Sequence, residues 1–400
     1  MTDFIYESPL PNTHFFVDRE ELSPDEGLEK IYDRDDLSFY WWRGGKTSLP
    51  LEEVADLIEE GWSQDYGSSN QARFKYGYDY VEWFTQGDSC DGIMVRDGGG
   101  KLVGFLAIQK RVLLLNGEPV PTLYGALFTV ALSHRKRGLA VAMNDIVMDI
   151  VMKRYGSMFM GALDGKVKNA SYMNGVLGER QRQEKNDILV SSTRVLPFWA
   201  ATNDLKKLLD YMPLSDGLNR VALNSVVRKL VEFKYREPDH KDYTVKLVNP
   251  QGVIPSNNSS GPGFVVNETL SLLYGVGKPD VGGTYRVEFE TGRSCDFYFI
   301  RHVASKSGLP DGTCAQIQIV DQRTASRREL ARALKIVCNE FFKSGCFTVL
   351  LQNWASIPAV DLLKAKFLPS DRKIGIKFAS RVEHKAELLD LDHPLYFDLL

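Results

Sequence analysis

Apolar positions along the chain recur with two periods, helical and alternating, and their order sets the expected architecture. Leu51, Val54, Leu57 and Ile58 repeat at helical spacing behind Ser48 and Pro50, which predicts a helix ended by Gly61. Strand patterns follow at Ile93–Val95 and Leu102–Ile108, separated by the turn Asp97-Gly98-Gly99-Gly100. A second turn at Asn116-Gly117 separates Val112–Leu115 from a strand over Tyr124–Leu132. A helical stripe from Leu139 to Lys153 and a strand at Met158–Ala162 complete a strand–helix–strand run.

The same order returns after Asn249–Gly263, whose prolines, glycines and serines read as a loop or linker. Tyr285–Phe289 and Phe297–Ile300 form a hairpin pattern, and Ala315–Val320 reads as a strand. Ser326-x-x-Glu329 is a capping box that opens a helix striped by Leu330, Leu334, Val337 and Phe341. Gly345 stops that helix, and Thr348–Leu351 is a strand. The expected fold class is α+β, with two similar halves in tandem, each a mixed, mostly antiparallel sheet flanked by helices. The expected division is an irregular, aromatic-rich arm over 1–45, a first half over 46–240 and a second over 241–400.

Candidate chemistry concentrates where an apolar strand, Ala126–Leu132, runs into Arg135-x-x-Gly138-x-Ala140 at the head of a helix. Backbone N–H groups of a tight loop and a first helical turn, with the helix dipole behind them, suit a pyrophosphate. Val130, Arg135, Lys136, Arg137, Gly138, Leu139 and Ala140 are the candidate binding residues. Three cations at a helix start oppose the dipole unless an anion is present; the plainer alternative is a solvated cluster. The corresponding loop of the second half, Asp321-Gln322-Arg323-Thr324-Ala325, has no glycine and carries an acid, so one site per chain is expected.

Composition narrows the partners. The chain has 400 residues and a net charge of −3, with no basic tail, so a nucleic-acid partner is not expected. Its five cysteines are scattered with no C-x-x-C pair, which gives no zinc or redox motif and fits a reducing cytoplasm. The acidic N-terminus does not read as a signal peptide, and no apolar run approaches the roughly 18 residues of a membrane span. Arg43-Gly44-Gly45-Lys46-Thr47 imitates a phosphate loop, but its first glycine is replaced by Tyr40. His14, His134, His240, His302, His384 and His393 are isolated, so no Ser/His/Asp or Cys/His set is indicated.

Taken together, these stretches resemble the glycylpeptide N-tetradecanoyltransferase (N-myristoyltransferase) family, a tandem GNAT-like fold. Leu57-Ile58-Glu59-Glu60-Gly61-Trp62, Ala72-Arg73-Phe74-Lys75-Tyr76 and Val81-Glu82-Trp83 resemble its L-x-x-x-Y, F-R-F-x-Y-S and L-x-W stretch. Lys101-Leu102-Val103-Gly104-Phe105 is similar to its K-L-V-G-F strand, and Leu127-Phe128-Thr129-Val130 sits where the family has F-L-C-V. Arg135 to Ala140 stands at R-S-K-R-L-A, and Cys295-Asp296-Phe297 with Ala304-Ser305 is similar to T-D-F and P-S.

The resemblance implies attack by the N-terminal glycine amine of a protein or peptide on a long-chain acyl-CoA, most of all myristoyl-CoA, with no metal. It implies backbone N–H groups of Leu127 and Phe128 as an oxyanion hole and the carboxylate of Leu400 as base. It further implies His14, Phe15 and Phe16 over the CoA, and Phe74, Tyr76 and Tyr172 on the substrate side. A cytoplasmic monomer is expected. Three departures stand out. Gln64–Asn70 keeps one acid of the family's acidic run, Tyr172–Leu177 loses most of Y-H-R-S-L-N, and Gly138 makes the loop more like that of an ordinary acetyltransferase. Two other readings therefore stay open: a tandem acetyltransferase of small amines, and an inactive acyl-CoA- or peptide-binding module.

Overall fold

The computed structural model of the chain describes residues 27–67, 72–88, 90–115, 118–150, 158–164, 188–192, 196–212, 242–250, 253–254, 263–265, 268–353 and 357–381. The first described elements are β1 (Leu28–Arg34) and β2 (Leu37–Arg43), an antiparallel hairpin. An irregular arm over 1–45 therefore does not hold for these residues. Leu37, Phe39 and Trp41 are buried on one face of β2, and the turn residue Asp35 takes a φ of 53°.

Helix α1 (Leu51–Gly67), strand β3 (Arg73–Lys75) and helix α2 (Tyr78–Thr85) precede the meander β4 (Cys90–Asp97), β5 (Leu102–Leu115) and β6 (Glu118–Val130). The two expected strand pieces on either side of Gln109 are one continuous β5, antiparallel to β6 along its length. α3 (Leu139–Ile150) then crosses to β7 (Met158–Asp164), which lies parallel to β6. β8 (Ile188–Ser192), β9 (Leu196–Thr202) and α4 (Leu205–Tyr211) follow.

The second half repeats the plan. β10 (Tyr243–Leu247), β11 (Val253–Ile254), β12 (Gly263–Val265) and α5 (Glu268–Tyr274) lead to the hairpin β13 (Gly282–Phe289) and β14 (Ser294–Ser305). β11 and β12 pair with each other, so the 249–263 stretch is not purely loop. β15 (Gly312–Asp321), α6 (Arg327–Lys343) and β16 (Thr348–Gln352) form the second strand–helix–parallel strand unit, before α7 (Ala359–Lys364) and β17 (Leu368–Arg381).

The halves are joined by exchanged strands. β17 pairs with β7, while β9 pairs with β16, so the sheet runs β1-β2-β4-β5-β6-β7-β17-β9-β16-β15-β14-β13-β10. β3 adds to β14 from across the junction, and Trp83 of α2 donates its indole N–H to the Leu273 carbonyl at 2.8 Å.

Local signals explain α6 well. The Ser326 hydroxyl accepts from the Glu329 N–H, and the Glu329 carboxylate accepts from the Ser326 N–H at 2.7 Å. At the other end, Gly345 (φ 93°) and Cys346 donate to Phe342 and Phe341, a Schellman closure that needs glycine. α1 behaves differently from expectation. It runs through Gly61 to Gly67, because Gly61 is a packing residue: a Cβ there would sit 2.8 Å from Thr129 Cγ2 of β6.

Candidate active site

β6 changes character halfway along. Its register with β5 shifts between Phe105 and Ala107, so Leu127 and Phe128 share the place opposite Leu106. This is a β-bulge, and it turns backbone N–H groups out of the ladder. Leu127 carries it with a φ of 57°, in the left-handed region that branched apolar residues avoid, although its side chain is buried. On the other edge, β6 stays paired with β7 only from Thr122–Met158 to Gly125–Gly161. Past Gly125–Gly161 the β6–β7 pairing ends, while β7 keeps β17 on its other edge from Phe159 to Asp164, so the two parallel strands part where the bulge begins. Leu127, Phe128 and Val130 thus lie on the open stretch of β6.

The loop after β6 is fixed from both sides. Ala131 donates to the Val103 carbonyl at 2.8 Å, Leu132–His134 make a 3-10 turn, and Lys136 (φ 65°) and Gly138 (φ 81°) are left-handed. The Ala142 N–H bonds the Gly138 carbonyl at 2.9 Å, so the N–H groups of Leu139 and Ala140 lie ahead of the helical ladder. The first turn of α3 carries no acidic residue to occupy them. In α6 the equivalent turn is occupied by Glu329, whose carboxyl is held down at about 2 by the Ser326 hydroxyl and backbone N–H.

Two of the three cations already have acceptors. Arg135 donates to the carbonyls of Val130 (3.3 Å) and Gly61 (3.1 Å), which ties the loop to β6 and α1. Arg137 pairs with Asp36 after the β1 strand, and holds that exposed carboxyl below the ordinary range. Lys136 is exposed.

On the α1 side, the Trp62 indole donates to Thr129 Oγ1 at 2.9 Å, and Thr129 Oγ1 donates to the Leu127 carbonyl at 3.2 Å. Tyr76 meets the Trp62 ring edge-on at 4.9 Å and the Tyr80 ring at 4.6 Å. Phe74 stacks on His302 of β14 at 4.4 Å, brought there by the Ala304–Phe74 pairing of β14 with β3. Glu59 anchors β3 against α1 through Arg73, whose guanidinium holds the Glu59 carboxyl below the ordinary range. Burial pushes the Tyr80 phenol well above its usual value.

Phe74 and Tyr76 are therefore brought to the α1 side of the β6 bulge, with Trp62, Tyr80 and His302 as companions that residue spacing alone does not single out. Trp62 lies inside a stretch that carries the resemblance; His302 arrives through a strand pairing over a long separation. His14, Phe15, Phe16, Tyr172 and Leu400 lie outside the described residues. Among the described residues no group of three or more His, Cys, Asp or Glu is placed to hold a metal, and no helix is long and apolar enough to cross a membrane.

The architecture is that of two tandem GNAT-like halves. Solved structures of this kind include Saccharomyces cerevisiae N-myristoyltransferase with bound myristoyl-CoA, which matches with a TM-score of 0.56 and 16% identity over 88% of this chain and 87% of that one. A second structure of that enzyme with bound myristoyl-CoA gives 0.57 and 15% over 88% and 83%. A third, with myristoyl-CoA and inhibitors, gives 0.58 and 16% over 88% and 81%. No protein-family profile matches the sequence, and no curated protein matches it by sequence. The likeness establishes a shared fold.

Proposed function

We propose that the chain transfers a long-chain fatty acyl group, myristoyl above others, from acyl-CoA to the N-terminal glycine amine of a protein or peptide. The observation that carries this reading is the Leu127–Phe128 bulge. It stands at the parting of β6 and β7 and just ahead of the open first turn of α3, in a fold shared with structures that hold myristoyl-CoA.

The chemistry follows from those positions. The amine nitrogen attacks the thioester carbonyl carbon, and the carbonyl electron pair moves onto oxygen. The N–H groups of Leu127 and Phe128 stabilise that oxyanion without moving, because they are backbone. The pair returns as the C–S bond breaks, the nitrogen passes its second proton to the departing sulfur, and CoA leaves as the thiol. The Leu139 and Ala140 N–H groups, Lys136 and the dipole of α3 receive the CoA phosphates. A glycine amine of pKa about 8 must lose a proton before it attacks. Leu400 is the proposed base: a free α-carboxyl, near 3.5 in water, becomes basic enough only when desolvated.

Gly138 favours a second reading. Its left-handed φ of 81° gives the loop the glycine of ordinary acetyltransferases, which acylate small amines. Intact-mass assays separate the two, with tetradecanoyl-CoA and acetyl-CoA each offered glycine-initiated peptides and polyamines. The proposal expects tetradecanoylated peptide. Acetylated polyamine alone supports the second reading and overturns the first.

A further inference from the structure

Residue 129 stands two positions past the start of the bulge, and its hydroxyl has a constrained role. Trp62 can only donate a hydrogen bond, so the Thr129 hydroxyl that accepts from it at 2.9 Å must aim its own proton elsewhere. That proton goes to the Leu127 carbonyl, 3.2 Å away. Thr129 is 3% exposed, so water does not compete strongly for either bond. The Leu127–Phe128 peptide is trans, since no cis bond occurs among the described residues. Its N–H, that of Phe128, therefore points opposite to the carbonyl that Thr129 holds.

We propose that Trp62 and Thr129 are positioning residues for the oxyanion hole: together they fix the direction of the Phe128 N–H. This rests on the acyl-transfer reading above. The surroundings fit the role. Gly61 lets α1 come close enough for the Trp62 bond, as a Cβ there would strike Thr129. Arg135, bonded to the Gly61 and Val130 carbonyls, holds the same two elements together beside the threonine. The edge of Tyr76 fixes the Trp62 ring, and Tyr80 and His302 pack behind Tyr76 at 4.6 Å and 5.6 Å. A pair that served only to satisfy the buried indole N–H would contribute to stability and leave turnover untouched.

The test is steady-state kinetics with tetradecanoyl-CoA and a glycine-initiated peptide, beginning with the unaltered chain. Thr129→Val keeps volume and removes the hydroxyl; kcat should fall about 10- to 100-fold, below the full loss of an oxyanion donor, with KM for acyl-CoA changed less than about twofold. Thr129→Ser restores the hydroxyl and should return kcat to within about threefold of the parent. Trp62→Phe keeps an aromatic six-membered ring but removes the N–H that fixes the direction of the hydroxyl, and should lower kcat about tenfold. An unchanged kcat in Thr129→Val or Trp62→Phe, or a loss that Thr129→Ser fails to restore, overturns the proposal while leaving acyl transfer standing. Absence of transfer by the unaltered chain overturns the acyl-transfer reading first, and this one with it.

Discussion

Gly61→Ala sets helix propensity against packing at the point where α1 meets β6. A glycine inside a helix costs about 1 kcal/mol relative to alanine, so propensity alone predicts a gain of that size. The structure predicts the opposite sign. The new Cβ would stand 2.8 Å from Thr129 Cγ2 and 3.4 Å from an Arg135 guanidinium nitrogen. Carbon atoms rest at roughly 3.5–4.0 Å, so α1 and β6 must separate by close to 1 Å or Thr129 must rotate. Rotation would break the bonds to Trp62 and Leu127, and threonine is stiff at χ1. Overpacking of this kind costs about 1–3 kcal/mol, which leaves a net loss of up to about 2 kcal/mol after the propensity gain. Thr129→Ser removes the obstructing methyl and keeps the hydroxyl. In urea denaturation followed by far-UV circular dichroism, the Gly61→Ala/Thr129→Ser double variant should therefore recover, with a coupling of about 1–2 kcal/mol across the cycle. A Gly61→Ala chain stabilised by about 1 kcal/mol, or strictly additive effects, would refute the reasoning.

Three further predictions concern the second half. Burial pushes the Asp321 carboxyl up to about 6, against the Arg323 N–H and the Arg323 and Arg286 charges that favour its ionised form, and with Asp296 adding to the rise. The native state then holds a proton that the unfolded chain has lost between about pH 4 and 6, so this group's contribution to stability falls as pH rises. Asp321→Asn should remove that slope, and its stability relative to the parent should improve by up to about 3 kcal/mol between pH 3.5 and 7.5 in thermal or urea melts. Ser326→Ala should cost about 1 kcal/mol by loss of the α6 cap, read in the same melts, whereas an unchanged midpoint would show that the box contributes nothing. Asp296 is fully buried and accepts from Arg286 at 2.7 and 2.8 Å and from Arg323 at 2.8 Å. Asp296→Ala should therefore destabilise by about 1–3 kcal/mol in equilibrium unfolding, since both guanidinium groups lose their carboxylate but keep partial access to water.

What the sequence made legible was local. The α6 box and its Gly345 stop, the Asp97–Gly100 turn and the strand–loop–helix around Arg135 each rest on neighbours in the chain, so spacing was enough to find them. The hairpin of β1 and β2 was hidden because Phe39-Tyr40-Trp41-Trp42 is aromatic throughout and masks the alternation that Leu37, Phe39 and Trp41 make on the buried face. Gly61 misled for a different reason. A glycine near a helix end reads as a stop, and only the approach of β6, 67 residues away at the Trp62–Thr129 bond, explains why the helix tolerates it. The exchange of β9 and β17 between halves, and the arrival of His302 beside Phe74, depend on pairings over long separations that no local period encodes. The family resemblance pointed to the Leu127–Phe128 pair; the bulge there, and the left-handed φ of Leu127 that builds it, are properties of the folded strand.

The most direct test of the account is tandem mass spectrometry of a glycine-initiated peptide incubated with the purified chain and tetradecanoyl-CoA. The account predicts a tetradecanoyl group on the glycine α-amine, its formation suppressed when one residue is added after Leu400. No adduct, or an adduct on lysine side chains that forms equally well with the extended chain, would contradict it.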